Sequence, residues 1–296
     1  MYEFNAIRPF ADTVVPVRIP DALRKEWARE PEWLAALPEL AAGCAKAWSL
    51  TLEDAVDTPH SFVVPAGEVV LKLNAPGHFE ADHEADALAA WNGDGAVRLV
   101  ARDDERRALL VERCLPGTRL WDARVDDVAV VEALLPRLLV EPAAGHPFRL
   151  AADEAARWAE DVPDRWEAAG RPFERQLLDY AVDVFRSTDA SAAFLVNQDL
   201  HGGNVLRSAR EPWLVIDPKP LVGERELTAV GLLRNAAGEG VSSPAAARRW
   251  LDGLAALGLD RERLRGWGVA HALAWGWDDR GWSKWSIACA RDIRAA

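Results

Sequence analysis

DLHGGNVLRSAREPWLVIDP, Asp199 to Pro218, sets two short apolar runs, NVLRSA and PWLVID, on either side of the charged turn REP, which is the pattern of a β-hairpin. Asp199 and Asn204 lie in the loop that enters the first run, and Asp217 ends the second. If the runs pair, the three side chains converge on one point. An acid, an amide and an acid gathered around a hairpin have no packing purpose, so the stretch points to chemistry.

Upstream of this hairpin the texture is strand-like. SFVVP, EVVLKL, AVRLVARDD and RALLVERCL are short extended runs separated by turn residues, as antiparallel strands are. Between the second and third, Phe79, His83, Ala87, Leu88 and Trp91 recur at helical spacing, and a Gly-rich end stops the pattern. After Pro116 and Gly117 the pattern turns helical, over Val125 to Val140, Ala151 to Trp166, Phe173 to Phe185, Ala245 to Leu257 and Leu264 to Trp277. The expected division is therefore residues 1–115, rich in strands, and 116–296, mainly helical, an α+β organisation.

With 296 residues, half of them apolar, the chain can bury a sizeable core. The formal net charge of −12 disfavours nucleic-acid phosphates and favours a cationic small molecule. Neither a basic leader followed by an apolar stretch nor a membrane-length apolar run is present in the sequence, so the expectation is a cytoplasmic protein without a membrane partner. Cys44, Cys114 and Cys289 are too few and too widely spaced for a metal-ligand pattern and read as reduced thiols.

Two carboxylates and an amide oxygen are hard donors, suited to a magnesium ion that keeps some of its water and takes further ligands from phosphates. Phosphoryl transfer needs that set: one carboxylate to accept the proton of an attacking hydroxyl, and oxygens to hold metal on a nucleotide. The motif D-L-H-G-G-N followed by I-D-P resembles the catalytic loop and metal-binding aspartate of the aminoglycoside phosphotransferases, antibiotic kinases related in fold to protein kinases. GGNVLRSAREPWLVIDPKPLVGERE is similar to the streptomycin 6-kinase and hydroxyurea phosphotransferase branch. VVLKL, HEADALAAW, WNGDGAVRLVARDD and LLVERCLPG follow in the family's order, as the lysine strand, the glutamate helix, the next strand and the hinge.

The resemblance implies a two-lobed protein-kinase-like fold with ATP between a small antiparallel-sheet lobe and a larger helical lobe. It implies Asp199 as catalytic base, Asn204 and Asp217 as magnesium ligands, and His201 as a brace for the loop. Lys72 would touch the nucleotide phosphates and pair with Glu84, and the backbone from Glu112 to Cys114 would meet the adenine. Thr58 or Ser61 would stand in for the missing Gly-rich loop. The implied reaction moves the γ-phosphoryl group of ATP to a hydroxyl of a streptomycin-like aminoglycoside, an antibiotic-resistance activity. The alternatives are hydroxyurea or another small metabolite such as an amino sugar as acceptor, or a kinase fold that binds without turnover. Asp278, Asp279 and Glu239 are candidate contacts to a cationic substrate, beside Trp277 and Trp282. The chain departs from the family at Asn197 and Gln198, where His-Gly is usual, and at Thr228, where an aspartate usually anchors the loop.

Overall fold

The structure is a computed structural model, and it describes residues 18–234, 243–278 and 280–296. The chain divides into two compact units, Met1–His78 with Ala101–Val111, and Phe79–Val100 with Glu112–Ala296.

In the first unit, helices α1 (Asp21–Glu26) and α2 (Pro31–Trp48) precede the sheet. Proline at the start of α2 costs no hydrogen bond, because the first helical N–H has no intrahelical partner. Trp33, Leu34, Leu37, Ala41 and Cys44 form one apolar stripe along α2. Strands β1 (Ser61–Ala66), β2 (Val69–Asn74), β3 (Leu99–Asp103) and β4 (Ala108–Glu112) stand where the extended runs predict them, in the order β1-β2-β4-β3. In the antiparallel β1–β2 hairpin Ser61 faces Asn74, and Val63 faces Lys72. Side chains alternate across a strand, so Ser61, Lys72 and Asn74 share one face. Phe62, Val64, Leu71 and Leu73 take the other and are fully buried with Leu23, Leu37 and Cys44.

Helix α3 (Glu84–Trp91), which its helical spacing predicts, falls in the second unit. α4 (Asp127–Leu138), α5 (Ala151–Ala168) and α6 (Arg175–Arg186) follow. Next come β5 (Phe194–Asn197), β6 (Val205–Arg207), β7 (Trp213–Val215) and β8 (Pro220–Gly223). The chain closes with α7 (Val230–Arg234), α8 (Pro244–Ala256), α9 (Arg261–Trp275), the two-residue strands β9 (Trp277–Asp278) and β10 (Gly281–Trp282), and α10 (Lys284–Ala295). The predicted hairpin is present as β6–β7, with Val205 opposite Val215. The reading did not anticipate β5 and β8, which pair antiparallel with Asn197 opposite Pro220 and close a second ladder around the hairpin.

α9 is buried almost all round, and its start is capped by Asp260, whose carboxylate accepts from the Arg263 N–H at 2.8 Å. Glu224, at the end of β8, ties this helix to the sheet by accepting from Arg263, from Trp267 Nε1 at 2.9 Å and from the Asp189 N–H at 2.6 Å. Burial raises the pKa of Glu224, but these donors outweigh it and hold the carboxyl below its ordinary value. Cys44, Cys114 and Cys289 are all buried thiols. Among the described residues no helix is long and apolar enough to cross a membrane.

Candidate functional site

The loop from Asn197 to Asn204 leaves β5 and enters β6, so two ladders fix its ends. Asn197 is buried, and its Oδ1 accepts from both the Asp199 N–H at 3.1 Å and the Lys219 N–H at 3.0 Å. One amide oxygen thereby joins the loop to the start of β8. The Asn197 N–H donates to the Thr228 hydroxyl at 3.3 Å. Both departures from the family pattern therefore retain a bracing contact, through neutral groups in place of an imidazole and a carboxylate.

Asp199 Oδ1 accepts from Arg234 Nη2 at 2.6 Å, a charge-assisted bond between side chains that are 16% and 11% exposed. Asn204 Nδ2 donates to the Asp199 carbonyl at 3.2 Å and lies 3.5 Å from Oδ2. His201 Nδ1 accepts from the Gly203 N–H at 3.0 Å, its ring stacks on Trp121 with centroids 5.1 Å apart, and its Nε2 is 3.8 Å from Asp199 Oδ2. Burial lowers the pKa of His201, and the carboxylates of Asp199 and Asp217 oppose this only in part. The turn needs Gly203, because a Cβ there would sit 2.4 Å from the Trp121 ring. α7 presses on the same loop through Gly231, whose hypothetical Cβ would be 2.3 Å from the Leu200 carbonyl oxygen.

Asn204 and Asp217 are brought together by the hairpin. The Ile216 N–H donates to the Asn204 carbonyl at 2.9 Å, and Asp217 is the next residue. Asp217 adopts φ +50°, a left-handed conformation uncommon for a residue other than glycine, and its Oδ1 accepts from Lys219 Nζ. With its Nδ2 turned to Asp199, Asn204 presents Oδ1 on the other side of the amide. A carboxylate already held by a cation and a neighbouring amide oxygen fit magnesium, which binds through one or two protein oxygens plus phosphates. Among the described residues no cluster of three or more His, Cys, Asp or Glu forms a metal cage of protein ligands alone.

The residues expected at the nucleotide divide between the units. Lys72 and Ser61 are buried on β2 and β1 of the first, with the Ser61 hydroxyl donating to Asn74 Oδ1 at 2.7 Å. Glu84, Glu112 and Cys114 belong to the second, where Glu84 is buried at the start of α3. Glu112 accepts a two-pronged bond from Arg210, at 2.8 and 2.9 Å, and a third from the Arg98 N–H at 3.1 Å. Burial pushes Glu112 up, yet these donors leave its pKa below the ordinary carboxylate value. The Cys114 thiol is driven to about 11, first by burial and then by the Glu112 charge. Arg210 also donates to the Gly93 and Ala96 carbonyls, at 2.9 and 3.0 Å, so the β6–β7 turn is pinned to Glu112 and to the loop after α3.

Of the three candidate substrate carboxylates, Asp279 and Glu239 lie outside the described residues. Asp278 sits on the β9–β10 turn, with Trp277 opposite Trp282, just past the helical pattern that the sequence ends at Trp277. Its carboxylate pairs with Arg280 Nη2 at 2.5 Å, and that bond holds its pKa below the ordinary value. Trp282 packs edge-on against Phe173 and Trp277, with centroids 5.1 and 4.7 Å away, an aromatic cluster flanked by Arg165.

Sequence reasoning missed Arg234, His271, Lys219 and Arg210. Arg234 ends a wholly apolar run, VGLLR, and a cation closing a buried run is the signal that could have found it. His271 is fully buried inside α9, and burial together with the Arg234 charge lowers its pKa well below 6.5. The unfolded chain therefore binds a proton at this site near pH 6.5 that the folded chain refuses, so stability is complete above that pH and falls as the pH drops below it. The expected loss approaches about 1.4 kcal/mol per pH unit for this one proton. Melting temperatures from pH 7.5 to 5 are expected to fall less steeply in His271→Gln than in the wild type, and parallel curves would sink the assignment.

The family described as aminoglycoside/hydroxyurea antibiotic resistance kinase matches residues 55–281. A streptomycin 6-kinase of Streptomyces glaucescens is 35% identical over 275 residues, covering 87% of this chain and 89% of the relative. A hydroxyurea phosphotransferase of Kitasatospora aureofaciens is 36% identical over 266 residues, covering 85% of this chain and 75% of the relative. Among solved structures, choline kinase LicA from Streptococcus pneumoniae superposes with a TM-score of 0.56 at 10% identity, covering 87% of this chain and 97% of that one. That likeness shows the kinase-like fold, with its small antiparallel sheet and larger helical part.

Proposed function

Because the chain belongs to the aminoglycoside/hydroxyurea antibiotic resistance kinase family, we propose that it transfers the γ-phosphoryl group of ATP to a hydroxyl of a streptomycin-type aminoglycoside. The observation that carries the site is the hairpin-borne set of Asp199, Asn204 and Asp217, held with two carboxylates bearing on His201. Asp199 accepts the proton of the acceptor hydroxyl as the oxygen attacks phosphorus. Asn204 and Asp217 hold magnesium, which when bound neutralises charge on the phosphates. Lys72 binds phosphate oxygens, and the Glu112–Cys114 backbone meets the adenine, with Arg210 holding Glu112. ATP use suits a cytoplasmic location, and the net charge of −12 suits a cationic acceptor.

Hydroxyurea is the second reading, favoured by the 36% identity to a hydroxyurea phosphotransferase. Purified protein with Mg-ATP is expected to release ADP with streptomycin and not with hydroxyurea. Turnover with hydroxyurea alone selects the second reading, and a silent panel with an intact ATP-induced rise in melting temperature selects a binding-only fold.

A further inference from the structure

Three buried side chains continue inward from Asp199. Arg234, which donates through Nη2 to Asp199 Oδ1 at 2.6 Å, turns Nη1 toward His271 Nδ1 at 3.5 Å. His271 Nε2 is in turn 3.4 Å from Gln198 Oε1. Gln198 and His271 are respectively 1% and 0% exposed, so none of these groups exchanges its partner for bulk water at low cost.

Only one arrangement of protons satisfies the chain. A guanidinium has donors and no acceptor, so His271 Nδ1 must present its lone pair to Arg234. The single imidazole proton then lies on Nε2 and points at the Gln198 amide oxygen. A neutral His271 is also what its burial against Arg234 demands. Trp275 completes the seat, with the Arg234 guanidinium 4.7 Å above its ring and the His271 ring centroid 4.6 Å from it. Trp158 meets the other side of His271 edge-on at 5.7 Å.

The two oxygens of Asp199 are left unequal. Oδ1 receives the short charged bond, whereas among the described residues Oδ2 has Asn204 at 3.5 Å and His201 at 3.8 Å. A carboxylate oxygen has two lone pairs, so Oδ2 can still accept from an incoming hydroxyl.

We propose that Arg234 is a positioning residue that fixes the rotation of the Asp199 carboxylate so that Oδ2 faces the acceptor, and that His271 and Gln198 hold Arg234 in that pose. Gln198, at the position where the family pattern has glycine, thus has a role: its amide oxygen sets the tautomer of His271. The inference rests on the reading of Asp199 as catalytic base.

The test compares wild type, Arg234→Met, Arg234→Lys and Gln198→Leu in ADP release with whichever acceptor supports turnover, together with Arg234→Met placed in an Asp199→Asn background. A misplaced reacting group costs on the order of 100-fold, and that loss is expected in kcat for Arg234→Met, with the KM for Mg-ATP unchanged. Arg234→Lys keeps a charge but cannot span both partners, so its kcat falls between the two. Gln198→Leu leaves the Arg234–Asp199 pair in place and removes only the acceptor for His271; it is expected to lower kcat, by less than Arg234→Met, and serves if that variant fails to fold. In the Asp199→Asn background Arg234→Met adds no further loss. A wild-type kcat in folded Arg234→Met, a wild-type kcat in Gln198→Leu, or a full additional loss in the Asp199→Asn background overturns the proposal alone. A wild type that releases no ADP with any acceptor overturns the kinase reading as well.

Discussion

Asp199→Asn lowers the rate of acceptor-dependent ADP release by roughly 100- to 10,000-fold, the range a general base contributes, while Mg-ATP continues to raise the melting temperature. The substitution keeps the shape of the side chain and an oxygen that can still accept from Arg234, and it removes the group that takes the proton. It also leaves the Arg234 guanidinium beside a neutral amide at a site where the two side chains are 11% and 16% exposed. Breaking a largely buried pair is costly, on the order of 3–5 kcal/mol when the remaining charge is wholly unpaired, and an amide acceptor lessens this. Rates are therefore compared well below the lowered melting temperature. If turnover survives there, Asp199 is not the base.

Gly231→Ala is expected to damage both stability and turnover although Gly231 touches no reacting group. The added methyl would lie 2.3 Å from the Leu200 carbonyl oxygen and 2.8 Å from its carbon, both backbone atoms that no side-chain rotation can clear. α7 must withdraw, or the loop that carries Asp199 must move. Overpacking of this kind costs about 1–3 kcal/mol, and a shift near 1 Å at the loop costs about 100-fold in kcat. Denaturant unfolding and steady-state kinetics on the same preparation check both parts. A variant with a wild-type midpoint and wild-type kcat would show that the contact between α7 and the loop is not tight in solution.

Most of the strands and helices could be read because their signals are local. SFVVP and EVVLKL alternate and are split by a glycine turn with φ +65° at Gly67, and the β6–β7 hairpin announces itself by two apolar runs around REP. The placement of Asp199, Asn204 and Asp217 around one hairpin was legible for the same reason. Residues 21–48 received no assignment: α2 opens on a proline, contains Pro38 within, and is held by packing against the sheet more than by its own pattern. Arg234, 35 residues after Asp199, and His271, 37 residues after Arg234, could not be placed from spacing, because only tertiary folding brings them to the loop. The end of α9 was read two residues too far, at Trp277 instead of Trp275, because Trp277 continues the aromatic pattern of the helix.

The way Arg210 is held bears on attempts to redirect the enzyme by directed evolution. The tip of the β6–β7 hairpin has the polar, proline-bearing composition that usually marks a tolerant site for random libraries or inserted tags. Here its arginine is anchored to two main-chain carbonyls and two glutamates, so changes at residues 208–212 would loosen the loop after α3 and the end of β4. Libraries aimed at a new acceptor are better built to leave that hairpin tip untouched.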